Sequence, residues 1–202
     1  MKIVCAGFHR SGSTWLYNVV RIMCEEVYGK QNVCARFFNQ WDQSQKADCY
    51  VIKTHRFQPS LTDADFIFTT IRDLRDVAAS AVRMKMIEES QAYTWITNLL
   101  KQEYEPWKKY TQLELVYEHF IEKKVVSIAR IAKRLKFDLD AQAIHEKVES
   151  IKIPTDKADM IEQLHPNHIS NENHRGLLSK STIRQIEKSD ITNEFMKNHL
   201  YI

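Results

Sequence analysis

The sequence predicts an α/β protein: a three-layer sandwich in which helices flank a central parallel β-sheet. Short apolar runs alternate with segments of helical periodicity, as expected when strands are buried on both faces of a parallel sheet. The first apolar run also leads through a glycine-bracketed turn directly into a helix. With 202 residues, of which 44% are apolar, the chain suits a single domain over residues 1–202.

Five apolar runs are predicted to be strands, and the segments between them carry the helices. The first helix ends at Gly29, because glycine is typical just after a helix C-terminus. Asp73 is predicted to cap the helix after the fourth strand, with Asp76 placed as in a capping box. The predicted strands cover residues 2–6, 31–38, 49–55, 65–71 and 113–117, and the predicted helices cover 13–28, 73–89, 92–110, 121–135 and 141–150, with a last helix starting near Ser179 or Ser181.

Composition and charge exclude several classes of protein. A net charge of +3 is too small to indicate nucleic-acid binding by itself. No apolar run approaches the roughly 20 residues of a membrane-spanning helix, and the first residues lack the layout of a secretory signal. Four cysteines without metal-type spacing indicate reduced thiols, mostly in the core. The sequence therefore predicts a cytoplasmic protein without nucleic-acid binding or membrane insertion, and it leaves the oligomeric state open.

The first turn contains a phosphate-binding pattern. Gly7 and Gly12 are followed by Ser13 and Thr14, which matches GxxxxGK[ST] except that Ser13 stands at the lysine position. The backbone N–H groups of such a loop and the N-terminus of the following helix bind an anion. Arg10 supplies a cation three residues before Ser13. The start of the chain is thus P-loop NTPase-like, although a chance glycine turn would give the same pattern.

Polar side chains follow the later strands at the same edge of the sheet. Lys53 and His55 close the third strand, Arg72 follows the fourth and Tyr117 the fifth. Ligands of parallel sheets bind at this edge, and the alternation along a strand directs Lys53 and His55 the same way. Taken singly, Lys53 could be a solvated strand end and His55 could be satisfied by a backbone carbonyl. Together they favour a cation and a base directed at the phosphate loop.

Arg72 and Ser80 form a second candidate anion site. They are eight residues apart, about two helical turns, so one phosphate along the helix could contact both. Two phosphate sites on one edge would suit a nucleotide phosphorylated at two places. The alternative is a surface arginine that pairs with Asp73 or Asp76.

These motifs together resemble those of sulfotransferases that use 3′-phosphoadenosine 5′-phosphosulfate (PAPS). Residues 9–15, HRSGSTW, resemble their 5′-phosphosulfate loop, usually PKSGTTW, and residues 53–55 match the KTH that carries the catalytic histidine. Arg72 through Ser80 matches their 3′-phosphate motif. Two weaker matches are Tyr117 with the next residue, similar to the YED segment, and residues 174–176, similar to the RKG motif. The GDWK that should follow RKG is missing.

The resemblance implies a metal-free transfer of a sulfonate group to a hydroxyl or amine of a small-molecule acceptor, leaving 3′,5′-diphosphoadenosine (PAP). It implies His55 as general base, with Arg10 and Lys53 stabilising the charge that grows on the leaving and sulfonate oxygens. Trp15 and Tyr117 would contact adenine, although Trp15 would also suit the core. The remaining implied contacts are Arg10, Ser11, Gly12, Ser13 and Thr14 for the 5′-phosphate, and Arg72, Ser80, Arg175 and Gly176 for the 3′-phosphate.

Other functions stay open at this level. A P-loop nucleotide or small-molecule kinase would use Mg²⁺ and usually the loop lysine that Ser13 replaces, and a nucleotide-binding protein without transfer would not need His55. His165, His168 and His174 could bind a metal ion in a polar, irregular stretch over residues 154–180. The aromatic residues of segment 85–112 could line an acceptor pocket, although such spacing is more often found in a core.

Overall fold

The structure, a computed structural model, describes residues 1–151 and 174–202. In these residues five parallel strands form one sheet in the order β2-β3-β1-β4-β5. Helices flank the sheet, so the predicted α/β sandwich is confirmed. The strands are β1 (Lys2–Cys5), β2 (Val33–Phe37), β3 (Cys49–Lys53), β4 (Phe66–Ile71) and β5 (Leu113–Val116).

The central position of β1 determines where the site lies. β1 pairs with β3 on one side, where Cys5 is in register with Lys53, and with β4 on the other, where Cys5 is in register with Phe68. The strand order reverses at β1, and ligands of open parallel sheets bind outside the carboxyl ends of strands at such a point. The loop after Cys5 is therefore the loop that the topology favours for binding.

The helices follow the predicted periodicity with several shifted boundaries. The first helix ends at Gly29 as predicted, and Asp73 caps the helix after β4 by accepting a hydrogen bond from the backbone N–H of Arg75. The helices are α1 (Ser13–Tyr28), α2 (Leu74–Arg83), α3 (Ala92–Leu99), α4 (Glu105–Lys108), α5 (Tyr117–Glu122), α6 (Lys124–Leu135), α7 (Ala141–Glu149), α8 (Lys180–Lys188) and α9 (Asp190–Asn198).

Four predicted helices are shorter or divided. The helix after β4 ends at Arg83 instead of continuing to residue 89. Lys85 has a φ of 54°, which is incompatible with a right-handed helix. The long aromatic helix is divided into α3 and α4 by a π-helical turn, Leu100–Tyr104. A break at Lys123 separates α5 from α6, and a break at Ser189 separates α8 from α9. Periodicity alone continues across such breaks, so it overestimates helix length.

The core consists of apolar layers on both faces of the sheet. Trp15 on α1 and Trp107 on α4 are fully buried, which places one large aromatic in each of two separate core clusters. The four cysteines are buried and free, as predicted. Among residues 1–151 and 174–202, no helix combines the length and the apolar character needed to cross a membrane.

Candidate active site

The loop between β1 and α1 is shaped by its two glycines. Gly12 has a φ of 84°, in the left-handed region that glycine adopts readily, and it immediately precedes α1. A Cβ at Gly12 would overlap the Phe120 ring, and a Cβ at Gly7 would overlap the Thr70 hydroxyl. Gly12 offers no side chain to cap α1, so the first N–H groups of the helix are directed at the space outside the loop. The sequence pattern thus forms a loop that can bind an anion.

Ser11 anchors this loop to the sheet. Its hydroxyl donates to the backbone carbonyl of Phe8 at 2.6 Å and shares a hydrogen bond of 2.6 Å with Thr70. Its backbone N–H also points to the Phe8 carbonyl, at 3.3 Å. The Ser11 side chain is fully buried and faces the sheet. Its predicted contact with the 5′-phosphate stays a prediction, and its observed contacts position the loop.

Arg10 links the loop to the second predicted anion site. Its backbone has a φ of 64°, which is strained for an arginine, and its Nε donates to the Ser80 hydroxyl at 3.0 Å. Burial lowers the pKa of Arg10 to about 10, and repulsion from Arg72 and Arg83 adds to this effect. The positive charge of Arg10 is therefore destabilised in the ligand-free protein, and an anion placed beside it would stabilise it.

Lys53 lies at the end of β3 and points at the start of α1. Its ammonium donates to the Thr14 hydroxyl at 2.6 Å and lies 4.7 Å from the centre of the Phe37 ring. Burial, together with repulsion from Arg10, lowers the pKa of Lys53 to about 7. Among the described residues no carboxylate forms a hydrogen bond with this amine, so a buried basic group lies beside the helix N-terminus without a counter-ion.

His55 has a defined orientation at the same edge. Its Nδ1 lies 2.7 Å from the backbone carbonyl of Gly7. Because a carbonyl oxygen only accepts, Nδ1 carries the proton and the lone pair of the neutral ring lies on Nε2. This carbonyl contact was the alternative considered for His55 alone, and it is compatible with catalysis, since it fixes the nitrogen that would act as base.

One cavity of about 320 Å³ joins these groups. Arg10, Lys53 and His55, predicted from two separate motifs, all line it. Their meeting follows from the parallel sheet, which brings the carboxyl ends of β1 and β3 side by side. The remaining lining residues are His9, Gly12, Ser13, Thr14, Trp15, Phe37, Met84 and Met86.

The Arg72 guanidinium forms the rear of the second anion site. Its centre lies 4.0 Å from the centre of the Tyr117 ring, and its Nη1 reaches the Arg10 carbonyl at a long 3.4 Å. Arg72 is 7% exposed, and its Nε is buried without a hydrogen-bond partner among the described residues. Arg72 and Ser80 each contact Arg10, Arg72 through the Arg10 carbonyl and Ser80 through its Nε. A buried donor without a partner among the described residues suits contact with an anion.

The two residues predicted to contact adenine are mainly buried. Trp15 is fully buried and stacks on Phe120, with ring centres 4.7 Å apart, although it also lines the cavity. Tyr117 is 3% exposed beneath Arg72. The core alternative for Trp15 is thus observed in the ligand-free protein, and adenine contact stays a prediction for both.

Arg175 is held by the start of α2. Its guanidinium donates to Asp76 at 2.6 and 2.9 Å and to Asp73 at 2.8 Å. Arg175 therefore makes the carboxylate contacts that were the alternative considered for Arg72. A Cβ at Gly176 would meet nothing within 4 Å, so this glycine lies in open space. Contact of these two residues with a 3′-phosphate stays a prediction.

Two other sequence interpretations can be compared with the described residues. The segment that was to line an acceptor pocket contributes Met84, next to its start, and Met86 to the cavity. Tyr104 and Trp107 are buried core residues, which favours the core alternative. Of the three histidines in the predicted irregular stretch, His165 and His168 lie outside the residues that the structure describes.

The sequence did not indicate a pair formed by His9 and Glu103. The Glu103 carboxylate accepts from Nδ1 of His9 at 2.7 and 2.9 Å and from its backbone N–H at 3.1 Å. The His9 ring stacks on His55, with centres 3.8 Å apart. His9 stands where the sulfotransferase loops that this one resembles have proline, and this difference was the one sign in the sequence that His9 could have a role of its own. Glu103 is 94 positions away from His9, so no local pattern could have joined them.

Comparison with known proteins rests on the fold. No family model matches the sequence, and no curated protein matches it. Among solved structures, mouse sulfotransferase SULT7A1 complexed with PAP matches with a TM-score of 0.61 at 12% identity, over 98% of this chain and 88% of that chain. The chain has the sulfotransferase fold. Retinol dehydratase in a complex with retinol and PAP matches with a TM-score of 0.51 at 13% identity, over 99% of this chain and 77% of that chain. At these identities the sulfotransferase fold is what is shown.

Proposed function

We propose that this protein is a PAPS-dependent sulfotransferase that transfers a sulfonate group to a hydroxyl or amine of a small molecule. The observation that carries the proposal is the convergence of Arg10, Lys53 and His55 on one cavity at the N-terminus of α1. Two solved proteins with this fold are complexes with PAP, which supports the same nucleotide here. Four buried free cysteines support a reducing compartment such as the cytoplasm.

The residues fit a nucleotide with two phosphate groups. The first-turn N–H groups at Ser13 and Thr14, with Lys53, would hold the 5′ side, because a helix N-terminus and a buried cation both favour an anion. Arg72 and Ser80 would hold the 3′-phosphate, since the Arg72 Nε is a buried donor without a partner among the described residues. The cavity volume of about 320 Å³ is at the lower end of ligand sites.

PAPS supplies the sulfonate group when bound. His55, whose lone pair lies on Nε2, takes the proton of the acceptor hydroxyl or amine as the new bond to sulfur forms and the bond to the phosphate oxygen breaks. Lys53 and Arg10 lie in a largely buried site, where their positive charges stabilise negative charge on the leaving phosphate and the sulfonate oxygens. Phe37, Met84 and other apolar lining residues restrict water around the transferred group.

Binding and transfer can be tested separately. Thermal unfolding is measured with PAP and with ATP and Mg²⁺, and stabilisation by PAP alone is expected. Transfer is then measured with ³⁵S-labelled PAPS against a panel of hydroxyl and amine acceptors. His55→Ala should lose transfer by at least about 100-fold while it retains PAP binding. Stabilisation by ATP and Mg²⁺ but not by PAP would instead assign the cavity to a kinase.

A further inference from the structure

Three side chains from distant parts of the chain form a layered cluster at one wall of the cavity. Glu103 binds His9 through both carboxylate oxygens, and the His9 ring lies on the His55 ring at an interplanar angle of 27°. One ligand atom from each of the three lies within 4.8 Å of the others. Glu103 is in the π-helical turn Leu100–Tyr104, and such turns are frequent at functional sites.

The hydrogen bonds define which nitrogen of each ring carries a proton. Nδ1 of His9 donates to the Glu103 carboxylate, and Nδ1 of His55 donates to the Gly7 carbonyl. The lone pairs of both neutral rings therefore lie on Nε2. Because each lone pair lies in the plane of its own ring and the rings are stacked, the two lone pairs lie in separate planes rather than converging on one point. The arrangement suits mutual positioning of the rings better than ligation of a metal ion by both.

The charges around His55 are unbalanced without Glu103. Arg10 and Lys53 line the same cavity, and each would oppose a positive charge on His55. Among the described residues of this cluster, Glu103 is the acidic group, and it is 7% exposed, so solvent screens it little. The Glu103 carboxylate binds His9, whose ring stacks on His55, and one of its oxygens lies within 4.8 Å of a His55 ring nitrogen.

We propose that Glu103 and His9 form a positioning pair for the base His55. The His9 ring holds the plane of His55 so that Nε2 faces the cavity, and the Glu103 carboxylate stabilises His55 after it has taken the acceptor proton. The role rests on the proposed function, because it presumes that His55 is the base of the transfer. The arrangement itself is a property of the ligand-free protein and can be measured without any transfer.

Imidazole NMR titration of the ligand-free protein tests the electrostatic part. In Glu103→Gln, which keeps the size of the side chain and removes its charge, the pKa of His55 should fall by about one pH unit. Glu105→Gln, an exposed neighbour, is the matched control and should leave this pKa unchanged. An unchanged His55 pKa in folded Glu103→Gln would overturn the proposal.

His9→Asn tests the positioning part and covers the case in which Glu103→Gln does not fold. Asparagine keeps an N–H donor for Glu103 but removes the ring, so kcat should fall about tenfold while the Kd for PAP stays unchanged. Equal kcat values for His9→Asn and wild type would overturn the proposal.

In Glu103→Gln the acid limb of the kcat/KM profile should move to lower pH with the His55 pKa. If the His55 pKa falls in Glu103→Gln but the wild type transfers no sulfonate, the result contradicts the proposed function and leaves the electrostatic coupling of Glu103 to His55 intact.

Discussion

Replacement of Lys53 by methionine should stabilise the ligand-free protein while it weakens PAP binding. Folding lowers the pKa of this amine from 10.5 to about 7, mainly because the side chain is buried. At about 1.4 kcal/mol per pH unit, keeping this charge in the folded state costs about 5 kcal/mol. Loss of the hydrogen bond to Thr14 offsets about 1 kcal/mol of the gain, so about 4 kcal/mol is expected near pH 6.

The sign and the pH window distinguish this effect from a packing change. Between about pH 7 and about pH 10.5 the unfolded chain binds more protons than the folded one, so the stability of the wild type rises with pH. The gain from Lys53→Met is therefore complete below pH 7 and falls to about 1 kcal/mol near pH 9.

Urea unfolding of both proteins across this pH range gives the free energies. The exposed Lys46→Met is the matched control and should show no such dependence. A Lys53→Met protein that is less stable than the wild type near pH 6, or a difference that does not vary with pH, would refute the reasoning. PAP affinity, measured by calorimetry, should fall about tenfold to a hundredfold, because a charged hydrogen bond to the phosphate is lost.

Other perturbations have equally direct outcomes. Gly12→Ala should lower the free energy of unfolding, measured in urea, by about 3 kcal/mol, because its Cβ would overlap Phe120 at a positive φ. Gly176→Ala is the control and should be neutral, because Gly176 lies in open space. Equal effects of the two substitutions would contradict the packing argument. Arg72→Lys should weaken PAP binding about tenfold by calorimetry, since it keeps the charge but loses the planar fork over Tyr117; unchanged affinity would remove Arg72 from the site. Dialysis against a chelator should leave sulfonate transfer unchanged, and recovery of a lost activity on addition of Mg²⁺ would contradict a metal-free reaction.

The fold was predictable because parallel strands buried on both faces must be apolar throughout. All five strands lie within one or two residues of the predicted starts and ends. The strand order was not predictable, since no local pattern specifies neighbours in a sheet. Helix ends were overestimated where the backbone breaks without a clear signal, as at Lys85 and Ser189. The π-helical turn before Pro106 likewise left no mark in the periodicity.

The site was predictable where its residues belong to local motifs at strand ends. The joint position of Arg10, Lys53 and His55 on one cavity follows from motif and topology together. Contacts between motifs could not be predicted, because they depend on side-chain conformation. The Arg10 hydrogen bond to Ser80 is one such contact, and the Glu103 carboxylate at the loop is another.

A crystal structure with bound PAP tests the central claim most directly. We expect the 5′-phosphate within hydrogen-bonding distance of the backbone N–H groups of Ser13 and Thr14 and of the Lys53 ammonium. We expect the 3′-phosphate at Arg72 and Ser80. Nucleotide bound elsewhere on the protein, with the space between Lys53 and the start of α1 filled by solvent, would contradict it.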